Sequence, residues 1–356
     1  MAYERNNIEA MSAYVPGEQI ATPGIIKLNT NENPYPPSPS VNLALEGCDV
    51  GRLRQYPPPT AGSLQAAIAQ KHGLASDNVI VTNGGDELLR MAIATFVETD
   101  ETIAVARPTY TLYQVLADAY GCGMTSFELD GNWDLPENYS SLLNDAGAKL
   151  TFLVNPHAPS GTLTSFASIS ALADEFNGVL LLDEAYIDFV DPDLAYLSEQ
   201  LVRDHDNVLI LRTFSKGYSL AGLRMAYGLG SETLISPLMK TKDSYNTDLI
   251  SQTLAKASIE DQDYARDTWA KVREERARVT AALRQSGFVV PDSQSNFILA
   301  TVPTGKSAET LYLELKSQGI LVRYFKNEKR LEDKLRITIG TPEQNQRLLD
   351  ALTATG

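Results

Sequence analysis

The sequence predicts an α/β protein: a large domain whose mostly parallel central sheet is flanked by helices, followed by a smaller α+β domain. Three observations lead there. Between residues 79 and 230, short β-branched or leucine-rich runs alternate with helical stretches, the pattern of parallel strands joined by crossover helices. Each run ends in a polar cluster. Beyond about residue 246 the alternation gives way to a long amphipathic helix and a few further strands.

The candidate strands are "NVIVT", "TIAVA", "KLTFLV", "GVLLLD" and "NVLILRT", and the clusters that close them are "NGGDE", "RPTY", "NPHAPSG", "DEAY" and "FSKGYSLAGLR". Ligands of parallel α/β sheets bind outside the carboxyl ends of the strands, so the clusters describe one site. Residues 1–35 read as an N-terminal arm, 36–246 as the large domain and 247–356 as the small one. The Pro-rich stretches "NENPYPPSPS" and "YPPPTAG" favour an extended arm and connection over a helix. A long helix is expected through Trp269, Val272, Val279 and Leu283, stopping near Gly287. A strand around "SNFILATV", a helix ending before Gly319, and the strands "GILVRYF" and "KLRITIG" complete the small domain. Alternation in "KLRITIG" puts Leu335, Ile337 and Ile339 on one face, and turns Arg336 and Thr338 away from the core.

Composition narrows the function. With 356 residues, 43% hydrophobic and 21% charged, the chain can bury one large core and a smaller one. A net charge of −15 repels nucleic acid and anionic membrane surfaces, so neither is an expected partner. The first residues lack an apolar leader and no apolar run spans a bilayer, which points to the cytoplasm. Cys48 and Cys122 lack metal-ligand spacing and read as buried free thiols; no metal site is expected.

Lys216 follows a buried strand directly. There its pKa falls, and the amine becomes a nucleophile able to form a Schiff base; taken alone it reads rather as a loop lysine on the surface, and its neighbours are what change that reading. Gly84, Gly85 and Asp86 open a helix whose first-turn N–H groups favour an anion, with Asp86 either capping the helix or meeting the ligand. Ser215 and Arg224 offer a hydroxyl and a guanidinium to the same phosphate. Asp183 ends four aliphatic residues and needs a cationic partner, which a protonated heterocyclic nitrogen supplies as well as a salt bridge does. Tyr186 and Asn155 can hydrogen-bond a phenolic oxygen, and Tyr110 can stack on a ring. A phosphate, a flat nitrogen heterocycle, an oxyanion and an aldehyde together describe pyridoxal 5′-phosphate.

The segments "KLNTNENPYPPSP", "RQYPPPTAGSLQAAIA", "VTNGGDELL", "ARPTYTLY", "LLLDEAYIDF", "TFSKGYSLAGLRMAYGL", "SQSNFIL", "GILVR" and "LRITIGT" resemble the fold type I pyridoxal-phosphate aminotransferases, and among them the histidinol-phosphate aminotransferases, over nearly the whole chain. The resemblance implies that Lys216 carries the Schiff base, Asp183 pairs with the pyridine nitrogen, Asn155 and Tyr186 hold the ring oxygen, and Tyr110 stacks on the ring. It places Gly84, Gly85, Asp86, Ser215 and Arg224 around the cofactor phosphate. It implies a homodimer in which Tyr56 reaches the neighbouring subunit's site, and it sets Tyr14, Arg323 and Arg336 against the substrate. The implied reaction exchanges an amino group between histidinol phosphate and 2-oxoglutarate, giving imidazole acetol phosphate and glutamate in histidine biosynthesis. Aromatic amino-acid aminotransferases and threonine-phosphate decarboxylase share the scaffold; Arg323 beside Arg336 favours a phosphorylated amine. The chain departs from the family where "NPHAPSG" sets His157 and Ala158 in place of two asparagines, and where "YPPPT" has a proline for an aspartate. His157 reads as an exposed turn residue.

Overall fold

The computed structural model describes residues 3–20 and 24–354. Its central sheet has seven strands, in the spatial order Val79–Thr82, Ala226–Gly230, Val208–Thr213, Val179–Asp183, Ala148–Val154, Thr102–Arg107 and Gly123–Glu128. Only Ala226–Gly230 runs antiparallel to its neighbours. The carboxyl ends of the other six strands therefore share one edge, and the five expected clusters meet there. The inner strands are buried along their length, as two-sided coverage by helices requires.

Two strands of this sheet lie outside the sequence expectation. Gly123–Glu128 is an edge strand with largely open side chains and few branched aliphatics. Ala226–Gly230 contains two glycines, and Gly228 is required by crowding: a Cβ there would lie 2.9 Å from both Ile80 and Leu88 side chains. Packing from neighbours, rather than its own side chains, makes that segment a strand.

The proline-rich start also departs from expectation. A helix runs from Pro39 to Glu46, beginning inside the stretch read as extended. Ser38 caps it by accepting from the Ser40 amide, and Pro39 takes the first helical position, where its missing N–H is no loss. Further upstream, Ile26–Lys27 pairs in parallel with Ile320–Leu321, so the arm is stitched to the C-terminal part of the chain.

That C-terminal part contains an antiparallel sheet ordered Arg323–Tyr324, Lys334–Thr338 and Phe297–Thr301. Leu335, Ile337 and Ile339 are fully buried, while Arg336 points to the opposite side, as alternation requires. The long helix spans Gln262–Gln285 and buries Trp269, Val272, Val279 and Leu283 along one stripe. Gly287, at φ +85°, turns the chain so that the Phe288 amide returns to the Leu283 carbonyl. The indole N–H of Trp269 donates to the Gly217 carbonyl at 2.7 Å, fastening this helix to the loop of Lys216. Cys48 and Cys122 are free and half-buried rather than buried. No helix among the described residues is long and apolar enough to cross a membrane.

Ile337 sits at the centre of the C-terminal sheet with no exposed surface. Ile337→Ala removes three methyl or methylene groups from a packed site, and about 2–5 kcal/mol of stability is expected to go with them. Urea unfolding followed by circular dichroism measures this; an unchanged midpoint would show that the residue's burial contributes nothing.

Candidate active site

A cavity of about 390 Å³ opens at the carboxyl edge of the central sheet, walled on its far side by the N-terminal arm and the C-terminal sheet. Lys216, Asp183, Tyr186, Tyr110, Gly85, Asp86, Ser215, Arg224, Tyr14, Arg323 and Arg336 all line it.

Lys216 lies three residues beyond the strand Val208–Thr213, and its Nζ donates to the Thr30 carbonyl at 2.9 Å. Burial pushes the amine down to about 8, helped by the positive charges of Arg336 and Arg224. The next residue must be glycine, because any side chain at Gly217 would collide with the Asp188 carboxylate. On the adjacent strand, Asp183 ends Val179–Asp183. Its Oδ2 accepts from the Tyr113 hydroxyl at 2.8 Å and its Oδ1 from the Ala185 amide at 3.1 Å. Burial raises its carboxyl to about 6, against the lowering effect of those two hydrogen bonds and of Lys216. Tyr186 accepts from Asn31 Nδ2 at 3.0 Å, which leaves its own hydroxyl proton to donate.

The anion end lies at the start of the helix Gly85–Phe96. Gly84 is the helix cap, at φ +77°, and Asp86 sits within the first turn instead of capping it. A Cβ on Gly84 would stand 2.7 Å from Arg224 Nη2, so the absence of a side chain keeps the guanidinium close to the helix terminus. Arg224 also donates to Ser215 Oγ at 3.4 Å and lies 3.7 Å from the Asp86 carboxylate.

Across the cavity, Arg323 and Arg336 are paired residues of adjacent strands. Arg336 donates to the Asn29 carbonyl at 3.2 Å, whereas its Nε is buried without a partner. An orphaned guanidinium donor facing a cavity is the mark of an anion site. Tyr14 meets Tyr110 edge to face at 5.7 Å between ring centres.

Two expectations need correction. Asn155 does not line the cavity: both protons of its amide go to Thr164 O and Tyr196 Oη, and its Oδ1 accepts from the Thr164 amide. The amide braces the turn, and Ala158 with Pro159 is what that turn presents to the cavity. His157 is buried, not exposed. Its Nε2 donates to Pro108 O at 2.8 Å and its Nδ1 pairs with Ser160 Oγ at 2.7 Å; burial holds it near 4 and therefore neutral. Tyr56 stands apart from the cavity, 80% exposed and stacked on Tyr245 at 4.4 Å. Sequence reasoning missed Tyr113, whose signal was its place one helical turn beyond Tyr110, and the arm residues Asn29, Thr30 and Asn31.

These residues fit pyridoxal 5′-phosphate. A dry lysine of lowered pKa, a buried carboxylate, a free phenol and a side-chain-free helix terminus beside an arginine match its aldehyde, ring nitrogen, ring oxygen and phosphate. Comparison with known proteins agrees: residues 23–352 match the family described as aminotransferase class I and II. The chain belongs to that family. Histidinol-phosphate aminotransferase 1 of Nostoc sp. is 44% identical over 351 residues, 98% of this chain and 97% of that protein. The histidinol-phosphate aminotransferase of Geotalea daltonii is 38% identical over 357 residues, 99% of each chain. Among solved structures, histidinol-phosphate aminotransferase from Sinorhizobium meliloti in complex with pyridoxal-5′-phosphate superposes with a TM-score of 0.89 at 24% identity, covering 100% of this chain and 99% of that one. Class I and II aminotransferases depend on pyridoxal 5′-phosphate, and it is the cofactor of this chain.

Because the folded-state pKa of Lys216 lies below its ordinary value of 10.5, its amine becomes neutral as pH rises through about 8. In cofactor-free protein, the rate at which Lys216 is reductively methylated should climb with that midpoint, read by mass spectrometry of its peptide. A midpoint at the ordinary lysine value would mean that the site is wet.

Proposed function

We propose that this aminotransferase exchanges an amino group between histidinol phosphate and 2-oxoglutarate, forming imidazole acetol phosphate and glutamate, a step of histidine biosynthesis. The observation that carries the reading is the pair Arg323 and Arg336 on the wall opposite Lys216, with a buried guanidinium nitrogen still lacking an acceptor. Two guanidiniums suit a phosphate or a dicarboxylate better than a plain aromatic amino acid. Relatives alike over almost their whole length carry the same activity in their names.

When bound, pyridoxal 5′-phosphate supplies an aldehyde and a cationic ring that withdraws electrons from the substrate's Cα. Lys216 would hold the aldehyde, and its Nζ, once free, would be the base that takes the substrate's Cα proton. The lowered pKa suits both tasks, since a neutral amine is present near pH 8. Asp183, an anion in a dry place above about pH 6, would pair with the ring nitrogen and keep a proton on it. Tyr113 prevents the carboxylate from turning away. Tyr186 would donate to the ring oxygen, and Tyr110 would face the ring. Gly84, Gly85, Asp86, Ser215 and Arg224 hold the phosphate, and Tyr14, Arg323 and Arg336 hold the substrate's anion. Asn155 contributes by shaping the turn.

We place the chain in the cytoplasm as a homodimer. Tyr56 and Tyr245 stack in the open, and Leu43, Val50 and Leu53 are exposed too; these apolar side chains support pairing of two copies with Tyr56 directed to the partner's cofactor phosphate.

The decisive experiment is the half-reaction of cofactor-loaded protein, followed by the cofactor's visible absorption, with histidinol phosphate, phenylalanine and threonine phosphate offered separately. Conversion with histidinol phosphate alone is expected. Faster conversion with phenylalanine would make the chain an aromatic aminotransferase, and carbon dioxide release from threonine phosphate would make it a decarboxylase. Lys216→Ala should lower turnover by at least about a hundredfold, the loss of a positioned base. For the assembly, sedimentation should give twice 38.9 kDa, and Val50→Asp should shift the protein toward a monomer with weakened cofactor affinity; a monomeric wild type with full activity would remove Tyr56 from the site.

A further inference from the structure

The substrate wall is not uniformly basic. Besides Arg323 and Arg336, the C-terminal segment places Glu328 on the cavity, the one carboxylate that this segment contributes to the described lining. Its Oε2 accepts from Arg107 Nη2 at 3.1 Å, and its Oε1 has no partner among the described residues. Fastenings on both sides hold the loop in place. Leu331 N donates to Glu328 O at 2.8 Å. Arg330 donates to the carbonyls of Leu129 and Asp130, and its guanidinium lies 4.0 Å over the Trp133 ring. Phe325, on the same loop, also lines the cavity, with Arg323 and Arg336 each 5.5 Å from its ring. The wall thus offers two guanidiniums, an aromatic face and a fixed carboxylate with one oxygen unused.

A phosphorylated amine whose other end is apolar has no use for that oxygen. An imidazole ring does: its N–H is a donor and its cationic form is close to neutral pH. We propose that Glu328 is a specificity residue of the site, accepting a hydrogen bond from the substrate's imidazole while Arg323 and Arg336 hold the phosphate. The inference rests on histidinol phosphate as substrate. It explains selectivity by what the pocket penalises: phenylalanine brings no donor, so its ring would strip water from a carboxylate without replacing the hydrogen bond. It also separates the two half-reactions, because 2-oxoglutarate has no donor and carries only negative charge.

The test is steady-state kinetics of the cofactor-loaded enzyme, comparing wild type, Glu328→Gln and Arg107→Gln with histidinol phosphate, 2-oxoglutarate and phenylalanine. Glu328→Gln is expected to raise KM for histidinol phosphate by about tenfold, the effect of losing a charged acceptor. Its kcat should change little, its KM for 2-oxoglutarate should be equal or lower, and its reaction with phenylalanine should improve. Arg107→Gln keeps the carboxylate and should affect both natural substrates slightly and equally. If both variants weaken histidinol phosphate and 2-oxoglutarate to the same degree, the pair is a latch between segments and the inference is overturned. Wild-type enzyme inert toward histidinol phosphate would overturn the substrate reading itself, a failure visible before any substitution is made.

Discussion

Asp183 and Lys216 leave water at the ends of two neighbouring strands, and much of the molecule is arranged to keep them there. Each alone is an unfavourable thing to bury. The carboxyl is pushed up and the amine down by the same cause, removal of solvent, so the pair is least settled when nothing occupies the cavity. A ligand that brings a cationic nitrogen to one and an aldehyde to the other relieves both at once. Desolvation of the strand ends thus both favours such a ligand and keeps the Lys216 amine nucleophilic.

The support around this pair is polar and comes from distant parts of the chain. Tyr113 fixes Asp183 from the helix that follows the next strand but one. Thr30 of the arm accepts from Lys216, and Trp269 of the long C-terminal helix holds the carbonyl of Gly217. His157 joins the two loops at the ends of Thr102–Arg107 and Ala148–Val154 by bonding Pro108 O, a buried neutral spacer where the sequence suggested an exposed turn residue. Side chains at such positions gain their importance from fixing neighbours, and substitution among polar residues is tolerated only when the same bonds can be made.

The parts of this arrangement legible in the sequence are those set by local chemistry. Branched aliphatic runs gave five strands because inner parallel strands must be apolar on both faces, and the residue that breaks each run had to stand at the sheet's edge. Lys216, Asp183, Tyr186, Tyr110 and Arg224 were expected there on that ground, and all five line the cavity. What stayed hidden depends on tertiary direction. "NPHAPSG" contains one amide, at Asn155, but which residue of a turn faces inward is decided by its backbone path, and Ala158 took that place. Tyr113 reaches Asp183 across 70 positions, a partnership that its place three residues after Tyr110 does not by itself reveal. The strand around Gly228 is held by the side chains of Ile80 and Leu88 rather than its own. The helix at Pro39 was masked by prolines that break helices when internal but open them when first.

The parallel pairing of Ile26–Lys27 with Ile320–Leu321 imposes an order on biosynthesis. A ribosome releases the arm first, yet the strand it must join emerges nearly three hundred residues later. The central sheet closes earlier, once Ala226–Gly230 can slot between Val79–Thr82 and Val208–Thr213. Lys216, at the end of one of that sheet's strands, takes the Thr30 carbonyl from the arm, and the carbonyl of Gly217 takes the indole of Trp269, so both fastenings wait on later parts of the fold. Until both ends of the chain are in place, the loop of Lys216 lacks two of its fastenings and the wall that carries Arg323 and Arg336 is not complete.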